Sequence, residues 1–198
     1  MFKALRLLIV FSLIIPFVVY FIWYKLEYSP YVNELQLISK RGTENIGKLQ
    51  SNFYRMVIAA NSMHKFNKIA IAEEPTDQIR SWAMTQVYWD LILKKNHGKN
   101  LSWHLNTFLW FLSSYLNFNE QEIFGIWIEC AINPCNSGLQ LTAQKYFKNN
   151  LNELDNWQLA RLVSFVEGPS VYAFGKEKGD KRANEILEQF KTIQNTPF

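Results

Sequence analysis

The chain has 198 residues, carries a net charge of +4, and is 48% hydrophobic and 16% aromatic. That length suits one anchor and one domain of ordinary size, and the apolar fraction supplies a sizeable core. The positive excess is mild enough to suit anionic headgroups or pyrophosphates, and no nucleic-acid motif accompanies it.

Residues 7–24 (LLIVFSLIIPFVVYFIWY) form an uninterrupted 18-residue run without a charge. As a helix it reaches roughly 27 Å, close to the hydrocarbon thickness of a bilayer. Pro16 is tolerable in a membrane helix. Trp23 and Tyr24 close the run where aromatic side chains favour the interface. The end of the run lacks the pair of small residues that a signal peptidase needs, which favours a retained anchor over a cleaved signal. Lys3, Arg6 and the amino terminus favour a cytoplasmic start, with Lys25, Lys40 and Arg41 working against it. The rest of the chain is then expected outside the cytoplasm, in contact with membrane lipid. The chain also has seven Trp, nine Tyr and fifteen Phe. They fit either a large core or a domain lying against that membrane.

Beyond the anchor the pattern is helical, with short breaks. Residues 28–31 (YSPY) end the anchor region, and Gly42 and Gly47 are expected to flank a second break. Residues 49–63 read as a helix with Phe53, Met56, Val57 and Ala60 on one face. Pro75 marks a break, with Thr76 or Asp77 as cap for a helix over 78–94. A polar loop at 95–100 precedes a helix over 101–116, with Ser102 as its cap. On it Leu105, Phe108, Leu109, Leu112 and Leu116 share helical spacing and are expected inside, leaving Trp110 and Phe111 free for lipid. Helices over 119–131, 138–147, 156–167 and 178–191 follow, with a turn cluster at 134–137. Strand-like alternation is almost absent, so the fold class is all-α. Three segments are expected: an anchor at 1–27, a juxtamembrane connector at 28–48 and a helical domain at 49–198.

The second half of the chain carries a run of ordered motifs. Glu122, Ile123, Phe124 and Trp127 come first, then Gly138-Leu139-Gln140, Ala143 and Tyr146-Phe147. Leu154, Leu159-Ala160, Leu162, Pro169-Ser170 and Tyr172 come next, and Lys181-Arg182-Ala183 with Ile186-Leu187 closes the series. In order and spacing these resemble the C-terminal half of the peptidoglycan glycosyltransferase domain (glycosyltransferase family 51), in the layout of the monofunctional transglycosylases. Upstream, Met84-Thr85-Gln86 resembles the family's Ser-Thr-Ile-Thr-Gln-Gln segment. Residues 55–60 (RMVIAA) resemble the lead-in to its catalytic Glu-Asp, so the likeness spans about 54–190. The resemblance implies a lysozyme-like, mainly α-helical domain on the extracytoplasmic side of a bacterial inner membrane, with Thr85, Gln86, Glu122 and Gly138 near a substrate groove.

It also implies a reaction that this chain is ill equipped to run. Joining two lipid-linked disaccharides needs a carboxylate to take the acceptor hydroxyl's proton, help typically worth 10²–10⁴-fold. It also needs cations for the pyrophosphate leaving group. The base position falls on Asn61, and an amide cannot accept that proton. Ser62 stands for the adjoining Asp, Asp90 for a Lys, Val87 for the second Gln, and Trp103-His104 for an Arg-Lys pair. Tyr115 stands for the second Glu and Glu129 for an Asn. A second register, through Ala72-Glu73-Glu74, restores a carboxylate at Glu73 but leaves the segment before Thr85 too short, and the cations stay absent.

The remaining groups are less specific. His64, His97 and His104 lack metal-ligand spacing, and no cofactor or metal is expected. Cys130 and Cys135, with four residues between them, could form a disulfide outside the cytoplasm or stay as two core thiols. Lys176, Lys178, Lys181, Arg182 and Lys191 read as a solvated helix face that could meet anionic lipid. The leading expectation is a non-catalytic relative that binds a lipid-linked glycan precursor or a cell-wall synthesis partner. The alternatives are an active, diverged glycosyltransferase with relocated carboxylates, and a structural subunit of an envelope complex.

Overall fold

The computed structural model describes residues 2–47, 50–63, 75–93, 101–132, 135–136 and 138–194. Their side chains are described except at 2–11, 13, 50, 61–63, 75–76, 92–93, 101–103 and 194. Nine α-helices are described: α1 Phe2–Trp23, α2 Val32–Ile46, α3 Gln50–Met63, α4 Pro75–Tyr88, α5 Leu101–Asn117, α6 Glu120–Cys130, α7 Gly138–Phe147, α8 Asn156–Glu167 and α9 Glu177–Gln194. Single π-helical turns follow α1 and α4. There is no strand among the described residues, so the fold is all-α. The expectations at Glu73, Glu74, His64, His97 and the 95–100 loop lie outside the described residues. So do the side chains of Asn61, Ser62, Thr76, Ser102 and Trp103, and residues 134 and 137 of the turn at 134–137.

The chain divides into two compact units, 1–35 and 36–198. In the first, α1 runs through Pro16. Ile14, Ile15, Phe17, Val18, Val19, Phe21 and Ile22 are all exposed, Phe17 most of all at 73%. The rings of Tyr20, Trp23, Tyr24 and Tyr28 run in sequence along its end, with centroids 5.4–6.3 Å apart. Among the described residues no helix is long and apolar enough to cross a membrane.

In the second unit α3 packs on α4, α8 and α9, α4 on α5 and α6, α6 on α7, and α8 on α7 and α9. Phe53, Met56, Val57 and Ala60 of α3 are buried, the face that the sequence pattern selects. Two helices start on reciprocal caps. The Asn119 side chain accepts from the Glu122 N–H of α6 while Glu122 accepts from the Asn119 N–H, and Asp155 and Gln158 do the same for α8. Pro75 is the first residue of α4 and not a break before it, as proline's fixed φ allows.

No break occurs at Gly42, which lies inside α2. This helix carries residues 36–46, expected in a connector, into the second unit. The glycine is there for proximity: a Cβ on Gly42 would fall on the Gly125 carbonyl, and a Cβ on Gly125 would fall on the Ser39 carbonyl. Two backbones meet, and the Ser39 hydroxyl donates to the Glu122 carbonyl at 2.9 Å. Gly125→Ala must separate the helices and is expected to cost about 1–3 kcal/mol, measurable by denaturant unfolding.

Helix α5 turns inward the side opposite to the one its leucines suggest. Trp110 and Phe111 are buried, whereas Leu105 and Leu116 are 57% and 74% exposed. The pattern selects the leucine stripe, because Asn106, Thr107, Ser113, Ser114 and Asn117 lie off it. Burying Trp110 and Phe111 removes a large apolar surface from water. Their face carries Thr107, Ser113 and Ser114, all buried. Buried Arg80 makes that face tenable. It donates to the Ser114 carbonyl at 2.9 Å and the Phe118 carbonyl at 3.1 Å, and it sits 4.2 Å from the Tyr115 ring centroid.

Candidate functional site

A cavity of about 20 Å³ lies where α3, α4, α6 and α8 meet. Val57 and Ala60 reach it from α3, Gln78 and Trp82 from α4, Trp127 from α6 and Glu167 from α8. Its aromatic wall is tightly built. Trp82 lies 5.6 Å from Trp127, which stacks on Phe124 at 5.6 Å, and Phe53 meets Trp127 edge-on at 5.8 Å. The Gln78 Oε1 atom is buried there with no donor among the described residues.

Glu167 and Arg182 supply the charge. Their side chains are 5% and 3% exposed. Arg182 grips both carboxylate oxygens, Nε at 2.6 Å and Nη2 at 2.7 Å, and Nη2 also donates to the Ala60 carbonyl at 3.4 Å. Burial opposes the guanidinium's charge. The hydrogen bonds and charges of Glu167 and then Glu185 outweigh it and hold the group above its ordinary range. Arg182 therefore does not belong to the solvated basic face expected at the C-terminus. A fork-on-fork pair of this kind fixes geometry and occupies the oxygens with which Glu167 would accept a substrate proton.

Small-molecule pockets run to roughly 300–1,000 Å³. This cavity has room for a single water, so as it stands it admits no sugar. Another concavity, about 510 Å³, follows α9 along Lys181, Asn184, Glu185, Glu188, Gln189 and Thr192. One helix wall alone encloses no ligand.

The residues expected at a substrate groove fall elsewhere. Thr85 and Gln86 are half-buried on α4, and the Thr85 hydroxyl donates to the Ser81 carbonyl at 2.8 Å. The cavity is reached one to two turns earlier, by Gln78, Ile79 and Trp82. Asn61 follows the cavity residue Ala60 in the last turn of α3. Glu122 is occupied in the α6 cap. Gly138 is buried at the start of α7, where a Cβ would meet the Ile132 carbonyl. Cys130 and Cys135 are joined in a disulfide. Asp90 accepts from the Cys135 N–H at 3.0 Å. Glu129 is fully buried and accepts from Arg41 at 2.5 Å and Asn45 at 2.8 Å, which braces α2 against α6. His104 is exposed, and no group of three or more His, Cys, Asp or Glu among the described residues could hold a metal.

Two phenols sit beside carboxylates on this part of the fold. Tyr54 donates to Glu120 at 3.3 Å and Tyr115 donates to Asp77. Burial first, then Glu120, pushes the Tyr54 hydroxyl upward; burial first, then Asp77, does so for Tyr115, with Arg80 opposing both. Each folded-state value exceeds the ordinary 10.0, so the neutral phenols favour folding below pH 10 and lose that contribution above it. Stability is expected to fall as the pH rises past 10. Melting temperatures of Tyr54→Phe and Tyr115→Phe on either side of that pH should show a shallower decline.

The sequence gives little notice of the Glu167–Arg182 pair, because neither residue interrupts an apolar face. Arg161 does leave a signal: it sits inside LARLVSFV, an otherwise apolar turn of α8, and is 1% exposed.

Fold and site together define an all-α domain, preceded in the chain by a helix whose apolar side chains from Ile14 to Ile22 are exposed. No family model, no curated protein and no solved structure matches this chain.

Proposed function

We propose that this chain is a membrane-anchored, non-catalytic helical domain of transglycosylase descent. In this reading it sits outside the cytoplasm of a bacterial cell and acts by binding a lipid-linked glycan precursor or a cell-wall synthesis partner. The observation that carries the non-catalytic part is the state of Glu167. It is the carboxylate lining the cavity, both its oxygens are held by Arg182, and the space beside it is water-sized. The anchor rests on the 18-residue run and on α1, whose apolar side chains are exposed all round. A helix of that kind is stable when buried in a core or a bilayer. The Cys130–Cys135 disulfide agrees with an oxidising compartment. The family descent rests on the order of the motifs from Glu122 to Leu187.

The experiment reconstitutes the full chain in vesicles with fluorescent lipid-linked disaccharide pentapeptide. No glycan polymer is expected, while the precursor or an envelope protein is retained on the chain. Polymer that forms and then disappears in Glu73→Gln overturns the reading. One observation favours a structural subunit as a second reading: Leu105, Tyr115 and Leu116 leave an exposed apolar face on α5. That reading expects a stoichiometric partner to co-purify, and its removal to lower the chain's melting temperature.

A further inference from the structure

We infer that the end of the domain formed by α7 and the 168–176 loop is a docking face for an anionic phospholipid bilayer. Tyr146 stacks on Phe174 with ring centroids 3.8 Å apart, and Phe174 also meets Phe165 at 5.0 Å and Phe147 at 5.4 Å. This cluster does not close into the core. Tyr146 is 40% exposed, Val171 at the loop tip is 48% exposed, and Phe147, Phe165 and Phe174 are half-exposed. Aromatic and aliphatic groups presented this way suit the headgroup boundary, where one side of a ring is apolar and the other wet.

The charges around the cluster select the lipid. The Lys145 ammonium lies 5.1 Å from the Tyr146 ring centroid, Lys148 follows Phe147 directly, and the Lys176 ammonium reaches the Ser170 carbonyl at 2.8 Å. All three lysines are exposed, and against them stands Glu177, so the rim is net positive. Long lysine stems can lie along the apolar patch with their ammonium groups among anionic headgroups. The loop is also held in place beforehand. The buried Arg161 guanidinium donates to the Tyr172 carbonyl at 2.9 Å and the Ala173 carbonyl at 2.8 Å, and sits 4.6 Å from the Phe174 ring centroid. Docking therefore orders little that is not already ordered. The inference rests on the membrane reading above, because an anchored domain has a bilayer within reach.

The test uses the full chain in phosphatidylcholine vesicles with and without phosphatidylglycerol. An environment-sensitive fluorophore is placed at Val171→Cys or, as control, at Glu188→Cys on the exposed face of α9; the two native cysteines are already joined. Spin labels attached to lipid are expected to quench the probe at 171 and spare the one at 188. Quenching should need phosphatidylglycerol and weaken as salt shortens the screening length. Lys176→Gln, with an unchanged circular dichroism spectrum, should lower the docked-to-undocked ratio roughly five-fold, the equivalent of one surface lysine. Equal quenching at 171 and 188 overturns the inference, as does quenching at 171 that ignores phosphatidylglycerol. So does protection of the 171 probe by a soluble oligosaccharide in place of vesicles, which would mark a sugar-stacking surface. A chain that fails to float with either vesicle overturns the anchor as well, whereas one that floats with its 171 probe unquenched overturns the docking face alone.

Discussion

Arg182→Ala is expected to destabilise the 36–198 unit by roughly 3–5 kcal/mol, or about 6–20 °C in melting temperature for a unit of this size. The reason is what it leaves behind. Glu167 would lose both of its donors in a site where its side chain is 5% exposed, and a water-sized cavity offers no replacement cation. The Ala60 carbonyl would also lose a donor. Removing both charges should be far milder, since replacing a buried ion pair with packed apolar groups is often neutral or stabilising. Thermal unfolding of Arg182→Met, Glu167→Leu and the double variant forms the cycle. A double variant that falls further than Arg182→Met would show that the pair is not the interaction being lost.

The second large effect is expected at Arg161. Its side chain is 1% exposed and donates to Asp180 at 2.7 Å, to the Ser164 hydroxyl at 3.1 Å and to two carbonyls of the 168–176 loop. Arg161→Ala empties the space under the loop and strands the two loop carbonyls, while half-exposed Asp180 regains water, so the cost is about 2–4 kcal/mol. It should act locally as well as globally, with amides of residues 168–176 losing hydrogen-exchange protection more than those of α3 or α6. Gly179→Ala provides an independent check, because its Cβ would fall within the Arg161 guanidinium. It should destabilise in the same direction and loosen the same loop. Unchanged exchange in that loop would mean that Arg161 does not hold it.

Much of the helix pattern could be read from the chain, because caps and breakers act over a few residues. Asn119 with Glu122 and Asp155 with Gln158 mark helix starts by local hydrogen bonding. The Phe53, Met56, Val57 and Ala60 face could be read because polar residues occupy the other side of α3. The leucines of α5 misled because the side that turns inward carries Thr107, Ser113 and Ser114, which buried Arg80 helps to satisfy. Gly42 looks like a break because glycine serves both turns and close approaches, and only the position of Gly125 tells them apart. Arg182 looks like one more cation on a basic stretch until Glu167, fifteen residues earlier, is placed beside it. The expected groove residues met the same limit. Thr85, Gln86, Glu122 and Gly138 were selected by likeness of pattern, and each has a local structural role or lies outside the cavity.

By itself the sequence determined that this protein is helical, that residues 7–24 form an uncharged, mainly apolar run, and where most of the later helices start and stop. These follow from composition, periodicity and capping, which act within one or two turns of chain. Only the tertiary structure decided which face of α5 is inside, that Cys130 and Cys135 meet, and that Glu167 is held by Arg182 beside a water-sized cavity. Those depend on which partners the packed helices and turns bring together, where packing and desolvation choose among arrangements that local pattern leaves equal.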